Sequence, residues 1–423
     1  MRPATAALRA AAVAATDPES GRRALSRRRG ARELPWIAAG LGAFAARDAA
    51  GQSSVDAQFL FYKESGGRTQ VLNPLVLWNQ DFGKDGGQLQ LNLGYDAISG
   101  ASPTGAYPTS DVTTSASGTV TASGKIPQAE YSDARKSVGV SYGRRFGANL
   151  PTINLAYAQE NDYTARSIGF TDAWTLMGGR ATLHVGLAFS RDIVSPVKNP
   201  ETNPDGLKLD YPKNTNGYSL GWTWVFGERD LADVSFALMT LSGYLTDPYK
   251  VVPVGPIDAN ATLPEQRPDT RSRRTAVLKY SHYFLWGASV NVQYRFYDDS
   301  WSIVANTIDV TYNQKFGPDW IVSPEIRFYT QTGASFWANR FATPQTSMSS
   351  DYRLSPFGSF LFGLTLTRRL YDSLSANLGG SWLSQQSNDP IRLIPTTGGA
   401  RGTTVSAADM NVATVTFGLT LLY

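Results

Sequence analysis

The last residues of the chain, VATVTFGLTLLY at 412 to 423, sort themselves by parity. Ala413, Val415, Phe417, Leu419, Leu421 and Tyr423 fall on one side and Thr414, Thr416, Gly418 and Thr420 on the other, with Leu422 the only break. Such alternation marks a strand between an apolar and a polar environment. In a soluble sandwich or barrel the apolar face meets a core. In an outer-membrane barrel it meets lipid, and the polar face lines a lumen. One strand does not choose between them, so the choice falls to composition and connectivity.

Of 423 residues, 42% are hydrophobic, 17% charged and 12% aromatic. Soluble domains carry about 25% charged residues and a larger apolar share. Depletion of both classes, with 39 Gly and 20 Tyr, suits a thin wall around a modestly polar interior. The absence of cysteine excludes disulfides and thioether-linked haem, and two histidines speak against a transition-metal site, so no cofactor is expected.

The formal charge of +4 is unevenly distributed. Residues 1–52 hold Arg2, Arg9, Arg22, Arg23, Arg27, Arg28, Arg29, Arg32 and Arg47 against only Asp17, Glu19, Glu33 and Asp48, leaving the remainder close to neutral. The basic character therefore belongs to the leader and implies no nucleic-acid partner. SRRRGAR at 26–32 followed by apolar LPWIAAGLGAFAA at 34–46 and small residues near Ala45 or Gly51 reads as a signal peptide behind an N-terminal extension. This divides the chain into a leader, 1–52, and a barrel, 53–423.

From Ser53 onward, alternating segments of roughly 9 to 15 residues recur, the length a tilted strand needs to cross a bilayer. Their centres lie near residues 59, 75, 92, 139, 155, 170, 185, 221, 236, 279, 292, 309, 325, 362, 378 and 415. The connections then alternate in length. Short ones are FGKDGG at 82–87, FGAN at 146–149, MGGR at 177–180, FGERD at 226–230, LWGA at 285–288, FGPD at 316–319 and LYDS at 370–373. Between them lie longer stretches, among them 99–131, 192–213, 243–270, 331–350 and 387–404, rich in Gly, Pro, Ser, Thr, Asn and Asp. Residues 110–130 read as a polar, weakly structured loop.

Outer-membrane barrels sort their connections in this way, with tight periplasmic turns and longer extracellular loops. Trp222, Trp224, Phe226, Trp286, Phe316, Trp320 and Tyr423 gather near the short-turn end, where an aromatic girdle belongs. The expected fold is all-β, a transmembrane antiparallel up-and-down barrel of about sixteen strands with both mature termini in the periplasm. The terminal strand closes it, and Phe417, Leu419, Leu421 and Tyr423 form an assembly signal for the barrel-insertion machinery.

Several stretches resemble a family of Gram-negative outer-membrane proteins termed domain of unknown function 3570. They are YDAISGASPTGAYP at 95–108, SGYLTDPYK at 242–250, RPDTRSRRT at 267–275, YRFYDDSWSIVANTIDVTYNQKF at 294–316, IRFYTQTGASFWANRF at 326–341 and SSDYRLSPFGSFLFGLTL at 349–366. The resemblance spans nearly all of the expected mature chain and implies a barrel. It brings no activity.

Strand parity assigns Lys279, Arg295, Asp309, Glu325 and Arg327 to the inner face near mid-height, a lining of both charge signs able to select permeating solutes or, alternatively, to stiffen the wall. Arg267, Arg271, Arg273 and Arg274 lead from an external loop into a strand, where guanidinium groups would hold lipopolysaccharide phosphates. His184 points inward and His282 lies near the periplasmic girdle; neither has the neighbours of a catalytic triad, and no enzyme is expected. The sequence thus indicates a porin-like channel for small hydrophilic solutes. The alternative is a non-conducting scaffold or conduit for a periplasmic or surface partner, including a redox partner. Lipid, lipopolysaccharide and the assembly machinery are the other expected partners.

Overall fold

A computed structural model describes residues 53–83, 87–106, 109–114, 120–197, 205, 209–256, 261–393 and 403–423. The expected leader lies outside the described residues.

The wall begins with β1 (Ser54–Glu64), β2 (Gln70–Asp81) and β3 (Gln88–Pro103). A small hairpin, β4 (Thr109–Thr114) with β5 (Val120–Lys125), rises from the outer end of β3. The wall continues with β6 (Gln128–Gly143), β7 (Thr152–Gln159), β8 (Tyr163–Leu176), β9 (Ala181–Val194), β10 (Tyr211–Val225) and β11 (Asp230–Gly243). A second hairpin, β12 (Val251–Pro253) with β13 (Thr262–Pro264), interrupts it. Next come β14 (Thr270–Phe284), β15 (Ala288–Asp299), β16 (Val304–Phe316), β17 (Trp320–Gln331), β18 (Phe357–Arg369) and β19 (Leu374–Ser387). A third hairpin, β20 (Ile391–Leu393) with β21 (Thr403–Val405), precedes the closing strand β22 (Met410–Leu422).

Sixteen strands form one closed antiparallel barrel, each paired with its neighbours along the chain, and β22 pairs with β1 from Ser54↔Leu422 to Glu64↔Val412. Every one of the sixteen expected strand centres falls within a wall strand. Closure removes both sheet edges, so every strand finds two partners in a medium without water to hydrogen-bond a bare edge. The expectation for 110–130 needs correction: the segment contains the β4–β5 hairpin, and β6 begins at Gln128. Thr and Val supply its extended register, and Gly and Ser at 115–119 had masked it as a loop signal.

The parity read from the sequence is the parity of the wall. Leu278, Phe328, Phe362 and Phe417 face outward with roughly half their surface bare, as lipid-facing side chains must. Near the short-turn end, Trp222, Trp224 and Phe226 succeed one another at centroid spacings of 6.1 and 6.2 Å, and Phe284 stacks on Trp286 at 4.4 Å. Trp78 Nε1 donates to the Tyr423 hydroxyl at 2.6 Å, and that hydroxyl donates to Gln80 Oε1 at 2.9 Å, fixing the last residue across β1 to β2.

The buried apolar side chains gather inside the outer end. Inward residues of the wall, including Tyr62, Val71, Ile98, Tyr329, Phe357, Leu383 and Val412, converge on Tyr352 from the β17–β18 loop. A second cluster joins Leu241 of the wall to Leu245, Trp301, Ala334, Phe336 and Leu354. The β11–β14 and β17–β18 loops therefore turn into the mouth of the barrel. Cross-links between them include a parallel bridge, Val254↔Phe341, and an antiparallel one, Gln266↔Met348. Gly105, at φ 92°, lets the chain beyond β3 pass against the Val251 carbonyl, where a Cβ would collide. Val251 N in turn donates to Thr104 O at 3.0 Å, bringing a third wall segment to the cap.

Candidate functional site

The lumen holds the first part of the site. Register aligns Lys279 with Gln293, Gln293 with Asp309 and Asp309 with Arg327, a single row around four strands. Arg295 lies one row toward the outer face, opposite Thr307, and Glu325 one row toward the periplasm, opposite Thr311. Arg327 is the hub: its guanidinium reaches Asp309 at 2.6 Å and Glu325 at 2.8 Å. Arg295 Nη2 donates to Thr307 Oγ1 at 3.4 Å. The side chains of Asp309 and Glu325 are 16% and 21% exposed, so both carboxylates remain reachable by water from within the barrel. All five residues lie on the inner face, as strand parity predicts.

Sequence reasoning overlooked a sixth member. Asp233 on β11 stands opposite Lys279 and accepts from Thr223 Oγ1 at 2.8 Å. The alternation Asp233, Ser235, Ala237 against outward Val234, Phe236 and Leu238 carries the signal, but the inward face turns apolar beyond it with Met239 and Leu241, which blurs the polar parity of this strand. His184 Nε2 lies 3.2 Å from the same Thr223 hydroxyl. The order His184, Thr223, Asp233 places the carboxylate on the hydroxyl and not on the imidazole, which is not the arrangement of a nucleophilic triad. His282 instead pairs with Asp230 at 2.7 Å near the short turns.

The second part of the site lies in the outer mouth. Asp247 and Lys250 from the β11–β14 loop, Glu265 and Arg267 just before β14, and Asp351 and Arg353 before β18 are six charged residues of balanced sign. Arg353 Nη2 lies 2.8 Å from Asp247 Oδ2, and its guanidinium also clasps Asp351. Arg267 reaches Asp351 at 2.7 Å and Glu265 at 2.9 Å, with all three side chains almost fully enclosed. Lys250 Nζ donates to Ser102 Oγ at 3.0 Å and to the Pro103 carbonyl, tying the loop to the end of β3. Tyr249 adds a link to β8's approach, its hydroxyl donating to Asp162 Oδ2 at 3.1 Å.

These enclosed charges differ in what surrounds them. Burial pushes the Asp247 carboxyl up to about 7, and Arg353 and Arg267 offset it only in part. Burial acts on Asp351 in the same sense, but Arg353, Lys250 and Arg267 together overcome it and hold that carboxyl below the usual carboxylate range. Burial pushes the Lys250 amine down to about 8 against the pull of Asp351. Removing one partner from such a network would strand the other in a poor dielectric.

The arginines expected at a lipopolysaccharide surface divide. Arg267, as above, lies inside the mouth, and Arg271 pairs with Asp299 at 2.8 Å while packing 4.1 Å from the Trp301 ring centroid. Arg273 is also buried, 6.0 Å from the Tyr297 ring. Only Arg274, with 73% of its side chain exposed and Asp298 3.3 Å away, turns outward. The correction follows from β parity: 271 and 273 share the inward face and 274 does not, while Arg267 precedes the strand and follows its loop into the barrel. Phe417, Leu419 and Leu421 lie on the outer face of β22 next to the seam with β1, and Tyr423, exposed just past the end of the strand, continues their run.

A closed antiparallel barrel with an apolar outer belt, an aromatic girdle at its short-turn end and charges on its inner wall defines the class: an outer-membrane β-barrel protein. The chain belongs to the family described as "Protein of unknown function (DUF3570)", which matches residues 34–408.

No curated protein matches. Among solved structures, the chain is similar to a bacterial polysaccharide outer membrane secretin, at 9% identity and a TM-score of 0.45, covering 89% of this chain and 100% of that one. It is similar to the siderophore receptor PirA from Acinetobacter baumannii at 9% identity and a TM-score of 0.44, covering 88% of this chain and 60% of that receptor. It is similar to an anion-selective porin from Comamonas acidovorans at 13% identity and a TM-score of 0.32, covering 89% and 99%.

Proposed function

We propose that this protein is a porin-like conduit for small hydrophilic solutes in the outer membrane, with passage governed by the two loops docked in its outer mouth. One observation carries this reading. Lys279, Arg295, Asp309, Glu325 and Arg327 occupy adjacent rows of the inner wall, and their carboxylates stay accessible to water beneath the cap. Opposed charges on a wet wall produce a transverse field that sorts solutes by charge.

A second reading has its own support. The packing of Tyr352 and Phe336 into the mouth favours a non-conducting scaffold for a periplasmic or surface partner. Planar-bilayer recordings on the purified barrel and on Arg353→Met separate the two. Ion-conducting steps from either protein support the conduit. Silence from both, with heat-modifiable migration showing folded barrels, overturns it in favour of the scaffold. In the same reading, the outward run Phe417, Leu419, Leu421 and Tyr423 serves recognition by the barrel-assembly machinery, and Arg274 is the arginine left to meet lipopolysaccharide phosphate.

A further inference from the structure

The lipid-facing side of β6, β8 and β9 carries three cations near one height. Lys136, Arg166 and Arg191 are all exposed and share the strand parity of Val140, Ile168 and Phe189, so they face the membrane and not the lumen. They stand roughly ten residues along the wall from the short turns at Phe146, Leu176 and Ala181 respectively. At about 3.3 Å per residue and a tilt of about 40°, that is about 25 Å along the barrel axis, the height of a whole apolar belt. The three cations therefore sit where acyl chains give way to headgroups in the outer leaflet.

Their neighbours leave that charge unmatched. Arg166 and Arg191 stand directly opposite each other on β8 and β9, and like charges so placed repel. The next outward residues across the strands are neutral: Tyr157 beside Arg166, Asn214 beside Arg191, and Tyr95 and Gln159 on either side of Lys136. Arg191 Nη1 donates to Ser190 O at 2.8 Å and to Asn216 Oδ1 at 3.1 Å, contacts that orient the guanidinium without neutralising it. Among the described residues none of the three has an ion-pair partner, whereas Arg274 has Asp298 at 3.3 Å. Two guanidinium groups set side by side at a lipid surface form half of an anion site, and the anion must come from outside the chain.

Height and chemistry together identify that anion. Guanidinium forks fit phosphate oxygens two at a time. Lys136 lies two strands from Arg166 and two residues further out, about 12 Å by strand spacing, so long side chains can converge on one phosphorylated headgroup. Toward the midplane, Leu155, Ile168 and Leu187 present bare apolar surface to acyl chains. We propose that this face of the wall binds lipopolysaccharide of the outer leaflet through the phosphates of its lipid anchor. The site does not depend on whether the barrel conducts.

The full-length mature barrel, purified free of lipopolysaccharide into detergent, tests this by native mass spectrometry with three probes: bisphosphorylated lipid A, dephosphorylated lipid A and phosphatidylglycerol. Saturable binding of the bisphosphorylated form is expected, at least about tenfold tighter than either of the others, the effect of one or two lost charge-assisted hydrogen bonds. Arg166→Gln combined with Arg191→Gln should weaken it by a similar factor. Lys136→Gln should weaken it less, and Arg274→Gln least, because Asp298 already shares that cation. Heat-modifiable migration of each variant separates lost binding from lost folding. Equal binding of bisphosphorylated lipid A by the folded double variant, or of the dephosphorylated form by the parent, overturns the proposal. Phosphatidylglycerol bound as tightly as lipid A overturns the assignment to lipopolysaccharide in favour of anionic lipid at large.

Discussion

Arg353 grips Asp247 at 2.8 Å across 106 positions of sequence, and the grip joins the two loops that fill the outer mouth. Loops elsewhere on a barrel have water on their polar groups. These two have exchanged water for each other, so their attachment depends on complete charge pairing.

Replacing Arg353 with Met should therefore loosen the cap without dismantling the wall. It leaves Asp247 and Asp351 enclosed with one cation fewer, and breaking a buried pair costs about 3 to 5 kcal/mol. Limited proteolysis should cut within the β11–β14 loop faster than in the parent chain, with heat-modifiable migration of the barrel retained. An unchanged cleavage rate would show that the latch does not hold the loops.

Cap docking should depend on pH in two arms. The Asp247 carboxyl rises from 3.8 to about 7 on docking, so its contribution is complete at acid pH and is lost as pH climbs through about 7. Lys250 falls from 10.5 to about 8, so its contribution is present at alkaline pH and is lost as pH drops through about 8. Asp351, held low, withdraws its support only below the ordinary carboxylate range. The groups facing these three are Glu265, Arg267 and Arg353, with Ser102 and the Pro103 carbonyl from the wall. Hydrogen exchange in the two loops should be fastest between about pH 7 and 8, after correction for the intrinsic rate, and Asp247→Asn should flatten the acid arm.

In the lumen, Arg327→Gln removes the cation shared by Asp309 and Glu325. In a conducting barrel the reversal potential across a salt gradient should move toward cation selectivity. Lys279→Glu with Arg295→Glu should move it further in the same direction. An unmoved potential would exclude this band from solute selection.

The seam offers a test of stability. Tyr423→Phe deletes the bonds from Trp78 and to Gln80, and should lower the unfolding free energy in lipid vesicles by about 1 kcal/mol, as denaturant titration would measure. Phe328→Arg, placing a charge on the lipid face of β17, should cost about 2 to 4 kcal/mol if the residue sits near the midplane, falling toward either interface.

Much of this protein is written in a period of two. Alternation on β14 sends Lys279 inward and Leu278 and Tyr280 outward, whatever the rest of the chain does, because successive side chains of a strand point to opposite faces. The same rule would have separated Arg271 and Arg273 from Arg274, had it been carried to the end of that strand. Short turns such as FGPD at 316–319 fix which strands are neighbours, and neighbours fix the row from Lys279 to Arg327.

The latch obeys no such period. Asp247 and Lys250 stand in SGYLTDPYK, Arg267 begins RPDTRSRRT, and Asp351 and Arg353 stand in SSDYRLSP, three of the stretches that carried the family resemblance. Nothing in their spacing places them together, because a loop's path is set by what it packs against and not by a repeat. Local side-chain alternation and the length of its connections determined the barrel, its orientation and its lumen-facing charges. Only the tertiary structure decided that two loops enter the mouth, since burying their carboxylates and guanidinium groups is tolerable only when each meets its counter-charge from a distant part of the chain.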